Sequence, residues 1–463
     1  MASSLTRFAI RKIGVPVPSV GLLEPLPSTD PGAAIDPGAA QLLAASGLAP
    51  LVLGGRRLLP IVQGGMGVGV SAHRLAGTVA SLGAVGTISS IDLRRLHPDL
   101  MEQTSGLTPG APARQAIEQA NLEALRREIA GARRLAQGRG LLAVNVMRAV
   151  SQYQDYVLAS LEAGIDAVVV GAGLPMDLPE LARDFPRALL IPILSESRSI
   201  QLVVRRWEKR GRLPDAIIVE HPRLAGGHLG AARLEDLQDT RFDFENVIPQ
   251  ARAFFRSAGI EREIPLIAAG GISSRADILR LQGLGAAAVQ LGTAFAVSTE
   301  GDADVAFKQV LAGARPEDLV EFISVAGLPA RAVRTPWFDK YLAAEPRLKE
   351  VARAKPRCTM MFDCLQQCGL RDGQAGWASS ASTRCWAPRS RAMCSAASSS
   401  AAPGSCRSPR RSARCANCST GCWRTCCRRT WRRPRRSRLR LPGWRRRQRF
   451  GAGSFTFAFG GPP

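Results

Sequence analysis

From Leu58 onward the chain repeats one alternation: a short apolar run rich in β-branched residues, then a stretch with apolar positions three and four apart. The runs are Leu59–Gln63, Val85–Ser89, Leu141–Val146, Ala167–Gly171, Leu189–Leu194, Ala216–Glu220, Pro265–Ala269 and Ala288–Leu291. Helical periodicity falls on Ala72–Leu82, Leu122–Ala136, Tyr153–Ala163, Ile200–Lys209, Val247–Ser257, Arg275–Leu284 and Val305–Ala312. Strands that are apolar on both faces and alternate with helices imply a parallel sheet covered on both sides. Eight such units in roughly 250 residues have the size of a closed barrel. The predicted fold is therefore α/β, a (β/α)8 TIM barrel over residues 51–312, with a doubly wound open sheet as the competing arrangement.

The flanks read differently. Residues 1–50, with Pro16, Pro18, Pro25, Pro27, Pro31 and Pro37 among Gly, Ala and Ser, are expected to be an irregular lead-in. Residues 313–372 form a smaller helical and loop extension, with a helix expected over Pro316–Ala326 and a loop over Leu328–Lys340. From residue 373 to 463 the composition switches to Arg, Ser, Ala, Cys, Trp, Pro and Gly, with no periodicity of either kind.

Charge changes the picture only in that tail. The chain carries a net +24, but residues 373–463 hold 20 Arg and no Lys, Asp or Glu, which leaves +4 on residues 1–372. A basic arm for nucleic acid or an anionic membrane is one reading. The reading preferred here is translation of a GC-rich coding sequence in the wrong frame, because Arg, Ala, Pro, Gly, Ser and Cys are what such codons yield out of register. With permitted codons, the stretch Trp377–Ala401 read from the third base of the Trp377 codon gives GQFCIDTLLGAALAGDVQRGLFFR, which has globular proportions. On either reading, no nucleic-acid partner is expected for the body of the chain. All 11 cysteines lie at or after Cys358. Cys358, Cys364 and Cys368 are spaced C-x5-C-x3-C, unlike the paired spacing of a zinc site, so no metal is expected. No run of 18 apolar residues and no apolar leader core is present, which makes a cytoplasmic location the expectation.

In a barrel enzyme chemistry sits at the C-terminal ends of the strands. There the first run opens into Gln63-Gly64-Gly65-Met66-Gly67-Val68-Gly69, a backbone able to approach a flat ligand closely. The third carries Asn145, an amide that donates and accepts at once. The seventh leads into Gly270-Gly271-Ile272 and the eighth into Gln290-Leu291-Gly292-Thr293, the two loops from which barrels commonly build a phosphate site. Ser273 and Ser274 are placed to cap the next helix and leave its amides aimed at a phosphate. After the sixth run comes Glu220-His221-Pro222-Arg223-Leu224-Ala225-Gly226-Gly227-His228-Leu229-Gly230. His228, lying between Gly227 and Gly230, is expected to have few neighbours burying its ring and to project into the mouth as a catalytic base. His221, before a proline, reads as structural, and His73 and His97 carry no signal.

Taken in order, QGGMGVG, AGGHLG, AAGGI and QLGT over about Leu58 to Gly376 resemble the nitronate monooxygenase family, once called 2-nitropropane dioxygenases. The resemblance implies a barrel with a smaller substrate domain and non-covalent FMN. It implies flavin contacts from Gly65, Met66 and Asn145, a phosphate site from Gly270, Gly271, Gln290, Leu291, Gly292 and Thr293, and His228 as the active-site histidine. Glu220 stands where members often carry Gln, which leaves any flavin contact there open. The activity implied is oxidation of alkyl nitronates, or of nitroalkanes after loss of the α-proton, with molecular oxygen to a carbonyl compound and nitrite. The second reading is an NAD(P)H-dependent FMN reductase of the enoyl-acyl-carrier-protein or quinone type. Chemistry that needs a loop cysteine nucleophile is disfavoured, since residues 1–357 contain no cysteine. A nucleic-acid-binding protein acting through the tail is the third reading, and no folded reading module accompanies those arginines.

Overall fold

The computed structural model describes residues 35–108, 110–231, 233–260, 264–324, 329–354 and 365–366. The arginine-rich tail and Cys358, Cys364 and Cys368 lie outside the described residues.

Eight parallel strands close into a barrel: β1 (Ile61–Gln63), β2 (Val85–Ser89), β3 (Leu141–Met147), β4 (Ala167–Gly171), β5 (Leu189–Leu194), β6 (Ile217–Glu220), β7 (Leu266–Ala269) and β8 (Ala288–Leu291). Each pairs with the next, and β8 returns to β1 with Val289 opposite Ile61 and Leu291 opposite Gln63. The TIM barrel read from the sequence is the observed fold, and the open sheet is excluded by that last pairing.

Because side chains alternate along a strand, each barrel strand serves two cores. Val62, Val85, Leu141, Ala143, Ala167, Val169, Ile191, Ala216, Ile218, Ile267 and Ala288 fill the interior. The residues between them, such as Ile88, Val144, Val168, Leu190, Val219 and Val289, meet the helices in a second, larger core. Helix His73–Ser81 packs against β2 so closely that a methyl group added at Gly86 would lie 1.9 Å from the Ala76 carbonyl oxygen.

Three expectations for the flanks need correction. Part of the lead-in is a helix, Pro37–Ser46. The residues that read as breakers are its caps: Asp36 accepts from the Gly38 and Ala39 amides, Pro37 opens the first turn and Gly47 closes the last at φ 65°. Leu51–Leu53 and Arg56–Leu58 form a hairpin whose Leu51, Leu53 and Leu58 plug the barrel interior at its N-terminal end. In the extension, Leu319–Ile323 is a strand where a helix was expected. Pro329–Val333 is a strand and Pro336–Ala354 a helix where a loop was expected. Leu-Val-Glu-Phe-Ile has a strand's composition, and its partner strand lies nearby in sequence, so pairing overrides the weak helical period.

Candidate active site

Counting on by two from the interior residues places Asn145, Gly171, Ser195, Glu220 and Gln290 in the uppermost layer of the barrel, at the C-terminal ends of the strands. The glycine loop after β1 closes over part of that layer. Its first residue donates from the Gly64 amide to the Leu291 carbonyl at 2.9 Å. A methyl group at Gly64 would lie 3.3 Å from Gln290 Cγ, and one at Gly65 would lie 2.3 Å from Asn145 Cβ. Met66 sits across from Gly292, whose added methyl would be 3.7 Å from Met66 Sδ. Gly65, Met66, Asn145, Gln290 and Gly292, which the sequence scatters over more than two hundred positions, thus meet at one rim.

The loops after β7 and β8 leave adjacent strands in register, Ala269 opposite Gln290. Gly270 and Gly271 adopt φ 111° and 67°, conformations open chiefly to glycine. Helix Arg275–Leu284 begins with a reciprocal cap in which Ser274 Oγ accepts from the Asp277 amide. The Asp277 carboxylate accepts from the amides of Ser273 and Ser274 at 3.0 and 2.9 Å. The amides of Ser273 and Ser274 are thus held by a carboxylate of the chain and are not left for a phosphate. The amides of Gly271, Ile272, Gly292 and Thr293 have no acceptor among the described residues. Leu291 also departs from expectation. Its side chain turns outward into the helix layer, and only its backbone reaches the mouth.

His228 is not the freely projecting ring expected. Gly227–His228 is itself a short strand, paired antiparallel to Pro329–Val333 with His228 opposite Ala330 and Gly227 opposite Arg331. That clasp lays the extension over the mouth. Arg331 strengthens it by donating to the Ala225 carbonyl at 3.0 Å and pairing with Glu321. The ring's Nε2 lies 3.0 Å from Ser324 Oγ. Burial lowers the imidazole pKa below its ordinary 6.5, so the ring is neutral at physiological pH. Nδ1 has no protein partner among the described residues. Ser324 carried no sequence signal, since its contact depends on the pairing of a distant hairpin.

His221, one residue out of phase with Glu220, faces away from the mouth, where Nε2 meets Asp243 at 3.1 Å and the ring packs edge-on against Phe244. Among the described residues no group of three His, Cys, Asp or Glu side chains is arranged to hold a metal. No described helix is long and apolar enough to cross a membrane.

A closed parallel barrel with a glycine-lined mouth, free loop amides at adjoining strand ends and one neutral imidazole is the frame of a cofactor-dependent barrel enzyme. Its family is the one the motifs suggested: the nitronate monooxygenase pattern matches residues 57–388, and the chain belongs to that family of flavin-dependent oxidoreductases acting on nitro compounds. A probable nitronate monooxygenase from Staphylococcus saprophyticus is 24% identical over 337 residues, covering 69% of this chain and 86% of that protein. A protein of the same name from Bacillus subtilis is 26% identical over 288 residues, covering 61% and 78%. Among solved structures, a nitroalkane oxidase from Streptomyces ansochromogenes matches at 21% identity with a TM-score of 0.45, covering 74% of this chain and 96% of that one.

Proposed function

We propose that this chain binds FMN at the barrel mouth and uses molecular oxygen to oxidise alkyl nitronates, or nitroalkanes once the α-proton is removed, to a carbonyl compound and nitrite. The observation that carries the reading is the neutral, clasped imidazole of His228 at a mouth whose loop amides after β7 and β8 have no acceptor among the described residues. The cradle fits the cofactor. The loop backbone at Gly64 and Gly65 lies flat against Gln290 and Asn145, and the amides of Gly271, Ile272, Gly292 and Thr293 have no acceptor among the described residues. Gly65, Met66, Asn145 and Gln290 would meet the ring, while Gly270, Gly271, Gly292 and Thr293 would hold the phosphate through the backbone. Bound flavin supplies a reversible acceptor for the substrate's electrons.

The protein's own work is proton handling and positioning. With Nε2–H donating to Ser324 Oγ, Nδ1 of His228 keeps a lone pair for the α-proton of a neutral nitroalkane. A nitronate needs no such step. The clasp of Pro329–Val333 fixes the ring's approach, and the apolar interior below the mouth keeps bulk water from entering through the barrel.

Anaerobic mixing of the flavin-loaded enzyme tests this reading. Bleaching of the yellow colour by a nitronate, with no bleaching by NADH or NADPH, is the expected result. Fast reduction by a nicotinamide, with none by nitronates, would overturn it in favour of a reductase.

A further inference from the structure

Among the described residues, Glu220 is the one carboxyl group in the uppermost interior layer of the barrel. Position 220 continues the inward phase of Ala216 and Ile218, and β6 pairs with β7 so that Glu220 lies level with Ala269, itself level with Gln290. Beneath it lie only Ile218, Ile267 and their apolar neighbours, so the carboxyl can find a polar partner only above, towards the mouth. Directly over it runs the backbone of Gly230, two residues beyond His228. A methyl group there would lie 3.9 Å from Glu220 Oε2 and 2.0 Å from Ser195 Oγ. Among the described residues no cation and no hydrogen-bond donor is paired with this carboxyl.

We propose that Glu220 is a proton-holding contact of the bound flavin: a neutral acid that donates a hydrogen bond to the ring system at low pH, and a carboxylate that disfavours electron uptake at high pH. The inference rests on the reading of the mouth as a flavin site. It assigns the residue a task the histidine does not perform, namely setting how readily the cofactor is reduced. Burial raises the carboxyl's pKa to about 7, which puts the change of charge inside the working range.

The groups packed around Glu220 leave it as the natural titrating centre. From β5 comes the Ser195 hydroxyl, and the next carboxylate, Glu196, turns away to Arg241 at 3.5 Å. From β7 comes the methyl of Ala269. On β6 itself His221 faces the opposite side and is engaged by Asp243. The loop above contributes His228, bound to Ser324, whose own pKa moves downward and not upward. A lone acid near an electron acceptor couples protonation to reduction, because the carboxylate repels added negative charge.

The test is a pH titration of the FMN-loaded enzyme, following the visible flavin absorption and the midpoint potential, with Glu220→Gln and Glu220→Asp alongside. In the unsubstituted enzyme one spectral transition near neutral pH is expected, with reduction harder above it. Glu220→Gln should bind flavin, lose the transition and stay easily reduced throughout, whereas Glu220→Asp should keep a transition at a displaced pH. A reduced-minus-oxidised infrared spectrum of the unsubstituted enzyme, with carboxyl-labelled glutamate, should show a protonated carboxyl C=O band, and needs no variant to fold. Bound flavin with no transition, or a transition that survives in Glu220→Gln, would overturn the proposal. Failure to take up flavin at all would instead remove the reading of the site on which it stands.

Discussion

At the scale of single residues, the chemistry depends on how His228 and the glycines around it are held. Truncating His228 to alanine removes the base but none of the groups lining the cradle. The expected outcome is full flavin uptake, a roughly 10²–10⁴-fold fall in kcat/KM on neutral nitroalkanes and a much smaller change on nitronates. Because burial holds the imidazole below its ordinary 6.5, it is deprotonated above that value. The rate on nitroalkanes should therefore fall as pH drops through the lowered pKa, a limb separate from any change that Glu220 imposes on both substrates near neutral pH. The rate on nitronates should lack that limb. Equal pH profiles for the two substrates would take proton abstraction away from His228. Gly271 makes a separate demand. At φ 67°, with Leu224 Cβ 3.0 Å from where a side chain would begin, Gly271→Val adds backbone strain of about 1–3 kcal/mol and blocks the amide cradle. The expected product is a folded, colourless protein. The fraction of bound flavin per chain checks this directly.

At the scale of elements, the helix after β1 is anchored by a cluster that periodicity does not reveal. Glu128, on the long helix Ala111–Ala136, is buried between His73 Nδ1 at 2.7 Å and His97 Nε2 at 2.9 Å. Burial by itself would raise its carboxyl pKa, but hydrogen bonds from His73 and His97 outweigh that and hold it at about 2. The hydrogen bond to Glu128 in turn raises His73 above 6.5. The histidine's contribution is thus complete below pH 6.5 and fades as pH rises through the raised value. The carboxylate's is complete above pH 4.5 and is lost as pH falls towards 2. Stability from this cluster should peak in between. Glu128→Gln should cost about 3–5 kcal/mol there and flatten the pH dependence of Tm on both sides.

That cluster also marks where the sequence stops being readable. Seven of the eight barrel strands both start and end within one residue of the apolar runs, because a strand buried on both faces is written as an unbroken apolar word. The glycine loops were legible for the same reason, as interruptions at fixed places after those words. What escaped is whatever a distant partner decides. Leu319–Ile323 becomes a strand through Pro329–Val333, the ring of His228 is half-buried beside that same clasp, and His73 and His97 acquire roles only by meeting Glu128 across two helices. Pro37 and Gly47 looked like breaks because a cap and a loop use the same residues. Ser195 and Ser324, both beside the proposed chemistry, have no local pattern to announce them.

At the scale of the whole molecule, charge is segregated and not spread. The body of the chain is close to balanced, while the 20 arginines after residue 372 account for most of the +24. Attraction between such a segment and a polyanion is dominated by counterion release, which depends on charge number and not on base sequence. The full chain should therefore bind heparin and DNA with a steep loss of affinity on adding salt, and with little preference between DNA sequences. A chain ending at residue 372, at +4, should elute from heparin near the void at moderate salt. Elution positions on a heparin column, with DNA competition across unrelated sequences, decide the matter. Equal retention of the two chains would place a basic surface on the barrel. A marked preference for one sequence would require a base-reading element, which phosphate-directed arginines alone do not provide.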